Sequence, residues 1–349
     1  MLRFLGAIVT IAVALACLVA TWPQLMGAQN LWIVAQLVAL RGVLIAAAIA
    51  GAALFLPLAL ARPLRAFAGT IALILLVTVG ANAAIMGVRG VGDSDFAAWT
   101  DDSVTVVTWN TLGDAPGAET IARVALDAKA DVVSLPETTK ATGVEVANLM
   151  REGGNPMWVL TVAFDKIAKA RSTTVLVSPR LGDYDTVWDS NRDRAEEEAR
   201  VGNTAVLPTV VLKPTDGDGP TIVAVHAVAP IPGQMENWKT DLEWLATQCA
   251  DDNVIMAGDF NATVDHMSGL ATEDGATMGR CADAGMQSGN AAVGTWSSRW
   301  PALLGSPIDH VMATPNWVTT GMRVIDDPSL RASDHRPVVV QLSSSSSSP

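Results

Sequence analysis

The sequence predicts a mixed α/β layered domain with two sheets, preceded by three membrane-spanning helices. Three observations carry this. Residues 1–89 hold no Asp, Glu or Lys, and only five Arg, at Arg3, Arg41, Arg62, Arg65 and Arg89. All 35 acidic residues fall after position 89, against 18 of the 23 Lys and Arg, so the remainder carries a net charge of −17. Within that acidic part, short β-branched runs alternate with segments of helical period, and several neighbouring runs are close enough for hairpins. At 349 residues the chain has room for two such modules.

The arginines delimit the anchor, residues 1–89. Residues 4–22, 42–61 and 66–88 are uncharged and mostly apolar. About 20 apolar residues, at roughly 1.5 Å each, span a hydrocarbon core of about 30 Å. None of the three runs shows the polar stripe of a soluble helix. Residues 31–40 are apolar too, which suits either a longer second span or a segment along the interface. The first run has an alternative as a cleaved signal peptide, since Arg3 supplies a basic start. No small-residue cleavage site follows it, so a retained helix is expected.

With the amino terminus inside, Arg3, Arg62 and Arg65 are cytoplasmic while Arg41 and Arg89 lie outside, the favoured sense of the positive-inside rule. Long acidic domains cross membranes largely regardless of their charge. The expectation is a multi-pass plasma-membrane protein with its acidic domain outside the cytoplasm. Cys17 lies in the first span, where packing explains it. Cys249 and Cys281 belong to the acidic domain, where a disulfide would suit an oxidising compartment and two buried thiols are the alternative.

Residues 90–102 read as a linker, 103–342 as the folded domain, and 343–349 as a flexible Ser-rich tail. Residues 103–109 (S-V-T-V-V-T-W) form a strand ending beside Asn110. Ile121, Val124, Ala125 and Ala128 recur at helical spacing. Residues 131–135 return to strand and deliver Glu137. Strands follow at 173–177, 206–212 and 221–225, the last ending at His226. A helix over 236–248 lines up Trp238, Leu242 and Leu245. Strands at 254–257, 308–312 and 338–342 complete the set.

Polar residues collect where these strands end: Asn110, Glu137, His226, Asp259 with Asn261, Asp309, and Asp334 with His335. Alone, an Asp or Asn after a strand is usually a turn residue capping its own backbone. His266 reads as structural. His310 should point away from Asp309, because neighbouring side chains on a strand alternate. The charged run at 193–200 reads as a solvated face.

In order, the strand ends spell T-W-N, L-P-E-T, V-H-A-V-A-P, G-D-F-N-A-T, I-D-H-V and S-D-H-R-P-V. This series resembles the signature of the endonuclease/exonuclease/phosphatase superfamily over residues 104–342. The resemblance implies a DNase I-like, four-layer α-β-β-α sandwich and a Mg²⁺-dependent hydrolase of phosphate ester or anhydride bonds. By the same resemblance Glu137 is the main metal ligand, with Asn110 and Asp334 completing or orienting its shell. Mn²⁺ suits the same oxygen ligands.

Asp309 and His335 fit an acid–imidazole pair, and the resemblance turns His335 toward the phosphorus. Asp259 is the other candidate to orient water or protonate a leaving group, while Asn261 and His226 would donate to phosphate oxygens. Pro136 precedes Glu137, where members often have Gln, which bears on the surroundings of the metal.

Composition narrows the substrate. A domain at −17 repels nucleic acid, which proteins bind through Lys and Arg, and no basic cluster is visible. Three spans hold the domain near a bilayer, raising its effective concentration toward a lipid phosphate or pyrophosphate. Two stretches, H-A-V-A-P-I-P-G-Q-M-E-N-W-K-T-D-L from His226 and G-T-W-S-S-R-W-P-A-L-L-G-S-P-I-D-H-V from Gly294, resemble the membrane-anchored, VanJ-like members of the superfamily. That likeness implies a lipid-linked phosphate of envelope metabolism. A phospholipid or sphingomyelin-type phosphodiesterase and an anchored extracellular endonuclease are the alternatives. Trp296 and Trp300 suit either a membrane interface or core packing.

Overall fold

A computed structural model describes residues 2–92, 94–165, 167–186 and 206–345; the charged run at 193–200 and the end of the Ser-rich tail lie outside them. Alternation along the strands decides the layers. Val106, Val132 and Val175 pack between two sheets against Ala224, Ile255 and Val311. Their neighbours Val107, Val133 and Leu176 face outward, as do Val225, Met256 and Met312 on the other side. That is the period of two inherent in a pleated strand.

The first sheet is ordered β11 (Trp317–Val324), β12 (Val338–Ser344), β1 (Ser103–Thr108), β2 (Val132–Pro136), β4 (Ser172–Val177) and β3 (Trp158–Ala163). The second runs β5 (Tyr184–Thr186), β6 (Val210–Pro214), β7 (Thr221–His226), β8 (Val254–Asp259), β10 (Asp309–Ala313) and β9 (Ala282–Asp283). Helices α5 (Ala118–Asp127) and α6 (Lys140–Glu152) cover the first sheet through Ile121, Val124, Val146 and Met150. Helix α7 (Met235–Gln248) covers the second through Trp238, Leu242 and Leu245. The four-layer sandwich is therefore present. Each sheet holds one parallel pair, β1–β2 and β7–β8, and the carboxyl ends of all four strands point to one edge of the sandwich.

Some elements differ from the sequence-based expectation. The strand expected at 206–212 is β6 at Val210–Pro214, because Pro208 has no N–H to donate to a ladder. β12 continues into the serine run, with Ser343 opposite Ser103, so pairing with β1 and β11 overrides the composition of the tail. The described residues of the 90–102 segment form no regular element but are tied down, with Ala97 N–H donating to the Thr320 carbonyl at 2.9 Å. A disulfide joins Cys249 to Cys281.

Three helices are long and apolar enough to cross a membrane: α1 (Leu2–Thr21), α3 (Arg41–Leu58) and α4 (Arg65–Arg89). Residues 31–40 lengthen none of them. They form a separate short helix, α2 (Trp32–Ala39), which buries Ala35 and Val38.

The anchor and the domain share one polar centre. Asp265 is buried and takes both guanidiniums as forks: Arg41 at 3.0 and 2.8 Å, Arg89 at 2.7 and 2.7 Å. Arg41 reaches on to the Asn82 side chain at 2.6 Å and the Thr21 carbonyl at 3.1 Å, so one network touches α1, α3 and α4. Beside it, His266 Nε2 lies 3.1 Å from the Ala35 carbonyl of α2. Backbones also meet closely. A Cβ at Gly42 would collide with the Leu303 backbone, and one at Gly90 (φ +80°) with Gly289.

Burial alone would raise the Asp265 carboxyl, but hydrogen bonds and charge from Arg89 and Arg41 hold it well below its ordinary 3.8. Burial lowers the His266 imidazole to about 4, against the pull of the Ala35 carbonyl and Asp265. Both groups take up protons more readily unfolded than folded, so acid destabilises the junction. Thermal unfolding of the full chain in detergent should lose stability as pH drops below 6.5 through His266, and further below 3.8 through Asp265. Asp265→Ala leaves two buried cations unpaired and should cost about 3–5 kcal/mol. An unchanged melting midpoint would show that the anchor and the domain are independent.

Candidate active site

The two parallel strand pairs end side by side, and their tips carry the chemistry. Asn110 follows β1 and Glu137 follows β2. β7 ends at His226 and β8 at Asp259, which are register partners. β10 runs antiparallel to β8, so its first residue, Asp309, stands opposite Asp259. Asp334 and His335 come from the turn before β12. The predicted residues thus converge from both sheets. Glu137 (φ +60°) and Asn261 (φ +47°) adopt the left-handed conformation that side chains rarely take. Such strain persists where the surroundings over-determine it, typically at functional sites.

Hydrogen bonds define the arrangement. Asn110 Nδ2 donates to Glu137 Oε1 at 3.2 Å and to Asp259 Oδ2 at 3.0 Å, while its Oδ1 accepts from Leu112 N–H at 3.0 Å. His335 Nδ1 bonds Asp309 Oδ2 at 2.8 Å, which turns Nε2 toward Asp259 Oδ2, 3.8 Å away. His226 Nε2 lies 3.9 Å from Glu137 Oε1, and its Nδ1 is buried with no hydrogen-bond partner among the described residues. Asn261 Nδ2 is engaged by the Ala227 carbonyl at 2.9 Å and Asp259 at 3.3 Å, so donation to a phosphate oxygen would compete with those bonds.

Burial and charge act in opposite senses here. Burial opposes a charge on His335, but Asp309, Asp259 and Asp334 outweigh it and raise the imidazole to about 10. Burial lowers His226 to about 3, helped by repulsion from His335. Burial raises Asp259 to about 7 against the pull of His335. Glu137 is also raised, by burial first, with Asn110 and His335 opposing and Asp334 adding to it.

The donor set fits a divalent cation. Asp259, Asp309 and His335 bring ligand atoms within 4.8 Å of one another. Glu137 and Asp334 lie close enough for their charges to interact, and oxygen ligands of this kind suit a hard cation. Asp334 Oδ1 is buried with no hydrogen-bond partner among the described residues, and Glu137 is a desolvated carboxylate. In the first group His335 Nδ1 is already committed to Asp309. Asn110 serves either group by orienting carboxylates.

Several supporting residues were given no role at the site from sequence. Trp296 Nε1 donates to Asp334 Oδ2 at 3.0 Å, and Trp109 Nε1 to the His335 carbonyl at 2.9 Å. Ser333 Oγ accepts from His335 N–H at 3.1 Å and donates to the Asn110 carbonyl at 2.6 Å. Thr295 Oγ1 accepts from Asp309 N–H at 3.1 Å. Trp109 and Ser333 stand inside the motifs T-W-N and S-D-H-R-P-V, and Thr295 and Trp296 inside the stretch from Gly294. His310 turns away, as alternation requires, and pairs with Asp283 at 2.7 Å.

Paired carboxylates, an acid-held imidazole and a candidate cation site at the edge of two packed sheets suit the hydrolysis of a phosphoester. The family model of the Endonuclease/Exonuclease/phosphatase family matches residues 107–335, and the chain belongs to that family. Among solved structures, the endonuclease/exonuclease/phosphatase of Bacteroides vulgatus superposes with a TM-score of 0.52 at 17% identity, covering 69% of this chain and 99% of its own. That of Beutenbergia cavernae has a TM-score of 0.48 at 19% identity, over 70% and 72%. The mannosyl-6-phosphatase of Bacteroides thetaiotaomicron has 0.45 at 18%, over 68% and 99%. At such identities the likeness is one of fold. No curated protein matches the sequence significantly.

Two substitutions separate the roles of the cluster. Asp309→Asn should keep the fold and lower phosphohydrolase turnover by about 10²–10⁴-fold, since it unlocks His335. Glu137→Gln should weaken divalent-cation binding, read by calorimetric titration, by about 10–100-fold or more. Unchanged cation affinity in Glu137→Gln would move the ion to the Asp259–Asp309–His335 seat.

Proposed function

We propose that this protein is a membrane-anchored, Mg²⁺-dependent hydrolase of a lipid-linked phosphate or pyrophosphate in the cell envelope. One observation carries the substrate class. Asp265, four residues beyond Asn261, is gripped by arginines of two candidate spans, which holds the site's own loop at the end of the anchor. A site held there meets phosphates at a bilayer surface far more often than phosphates in solution. The net charge of −17 after position 89 argues against a nucleic-acid substrate. The Cys249–Cys281 disulfide supports an extracytoplasmic domain, as do the stretches that resemble VanJ-like members.

The residues divide the work by position. Asp259 Oδ2 and His335 Nε2, 3.8 Å apart, bracket a point from which one water could bond both. A water held there attacks phosphorus as the ester or anhydride P–O bond breaks; its proton passes to Asp259, and His335, which already carries one, gives a proton to the leaving oxygen. His335, locked by Asp309, also faces the charge that develops on the phosphoryl oxygens. His226 offers a further donor, and Asn261 keeps Asp259 in place. Mg²⁺ seated by Glu137 and Asp334 would neutralise phosphate charge when bound.

The test uses the full chain, because the domain without its anchor would expose the buried Asp265. Purified protein in detergent with Mg²⁺ is assayed on undecaprenyl pyrophosphate, a phosphocholine lipid and plasmid DNA, with His335→Ala as the control. Phosphate released from the pyrophosphate alone supports the proposal. DNA nicking that disappears in the variant sinks it.

A further inference from the structure

How a substrate reaches the site follows from α2 and the loops that it touches, granted the lipid-phosphate function proposed above. α1 ends at Thr21 and α3 begins at Arg41. If both cross a bilayer, everything between them lies at one membrane surface. α2 turns Ala35 and Val38 to the domain and leaves Trp32, Ile33 and Leu37 uncovered, at 50%, 61% and 41% exposure. A contiguous apolar face of this kind marks an interaction surface.

The patch continues onto the domain at two places. Gln36 donates to the Pro230 carbonyl at 2.7 Å, which puts Ile231, 53% exposed, beside α2 in the loop that follows His226. On the other side, Gly42 at the start of α3 abuts Leu303 and Leu304. Leu303 and Trp300 are exposed in the loop that runs on to Asp309. The loop leaving His226 and the loop entering Asp309 therefore each carry uncovered apolar side chains where they meet the anchor. Gln36 belongs to the segment between the two spans and Gly42 opens α3, so if the spans cross a bilayer these residues sit at the level where they leave it.

We propose that α2 lies flat in the bilayer interface and, with Ile231, Trp300 and Leu303, forms a lipid-facing rim through which a phosphate headgroup passes sideways into the site. Apolar faces of short surface helices bury in this way at the headgroup–acyl boundary. The lipid tail then stays in the membrane while its phosphate meets His226 and His335.

Two measurements on the full chain, reconstituted in phosphatidylcholine vesicles, test this separately from the substrate assignment. An Ile33→Cys variant, in a Cys17→Ser background and carrying a spin label, should be relaxed by oxygen dissolved in the bilayer and not by a water-soluble nickel chelate. The opposite result overturns the placement of α2 whatever the substrate is. Trp32→Glu and Ile231→Glu should each slow hydrolysis of vesicle-borne undecaprenyl pyrophosphate by about tenfold. Hydrolysis of isopentenyl pyrophosphate, which has the same anhydride but no membrane tail, should stay within about twofold. Unchanged rates on both substrates overturn the rim, and so does equal loss on both, which would assign these residues to the fold. A parent enzyme that cleaves only the soluble compound defeats the lipid assignment instead, and the spin label still decides where α2 lies.

Discussion

The site depends on one contact across the sandwich, the Asn110 amide bonding Glu137 of its own sheet and Asp259 of the other. Two desolvated carboxylates would otherwise repel each other at the meeting of two apolar layers. One neutral amide gives both an acceptor role and sets the separation of the strand tips. The inner faces, with Val106 and Val132 against Ala224 and Ile255, hold the sheets at the distance this bond needs. Packing and polar geometry are satisfied by the same spacing.

Charge balance extends the same constraint outward. Around His335 stand Asp309, Asp259 and Asp334, with Glu137 close by, an excess of buried negative charge that one imidazolium does not offset. Burial raises the pKa of Glu137 and Asp259, with the charges of Asp334 and Asp309 adding to it, and Asp334 Oδ1 has no hydrogen-bond partner among the described residues. A divalent cation would relieve that excess. Far from the strand tips, Asp265 solves the same problem with two guanidiniums, and the solution joins the anchor to the domain.

That junction changes what the anchor is. A tether joined only through residues 90–102 would leave the domain free to turn in any direction. Contacts from Gln24, Gln36, Arg41 and Arg89 to loops on either side of the site hold it in one orientation toward the spans. With a lipid-borne substrate, anchoring and access would become one structural property.

The sequence by itself determined the division into an uncharged anchor and an acidic domain, the layered α/β class and the eight strand-end residues. Each of these is written locally, in runs of one hydropathy or in motifs such as G-D-F-N, where a strand and its tip are contiguous. Tertiary structure alone decided the rest. Asp265 carries no local signal in the sequence, because its partners Arg41 and Arg89 lie 224 and 176 positions away. Trp296 finds Asp334 across 38 residues, and Ser333 finds Asn110 across 223. The fate of residues 31–40 was settled by the surface awaiting Ala35, which no local hydropathy records. A local pattern reports what a segment must bury, and only the folded chain supplies the partner that buries it.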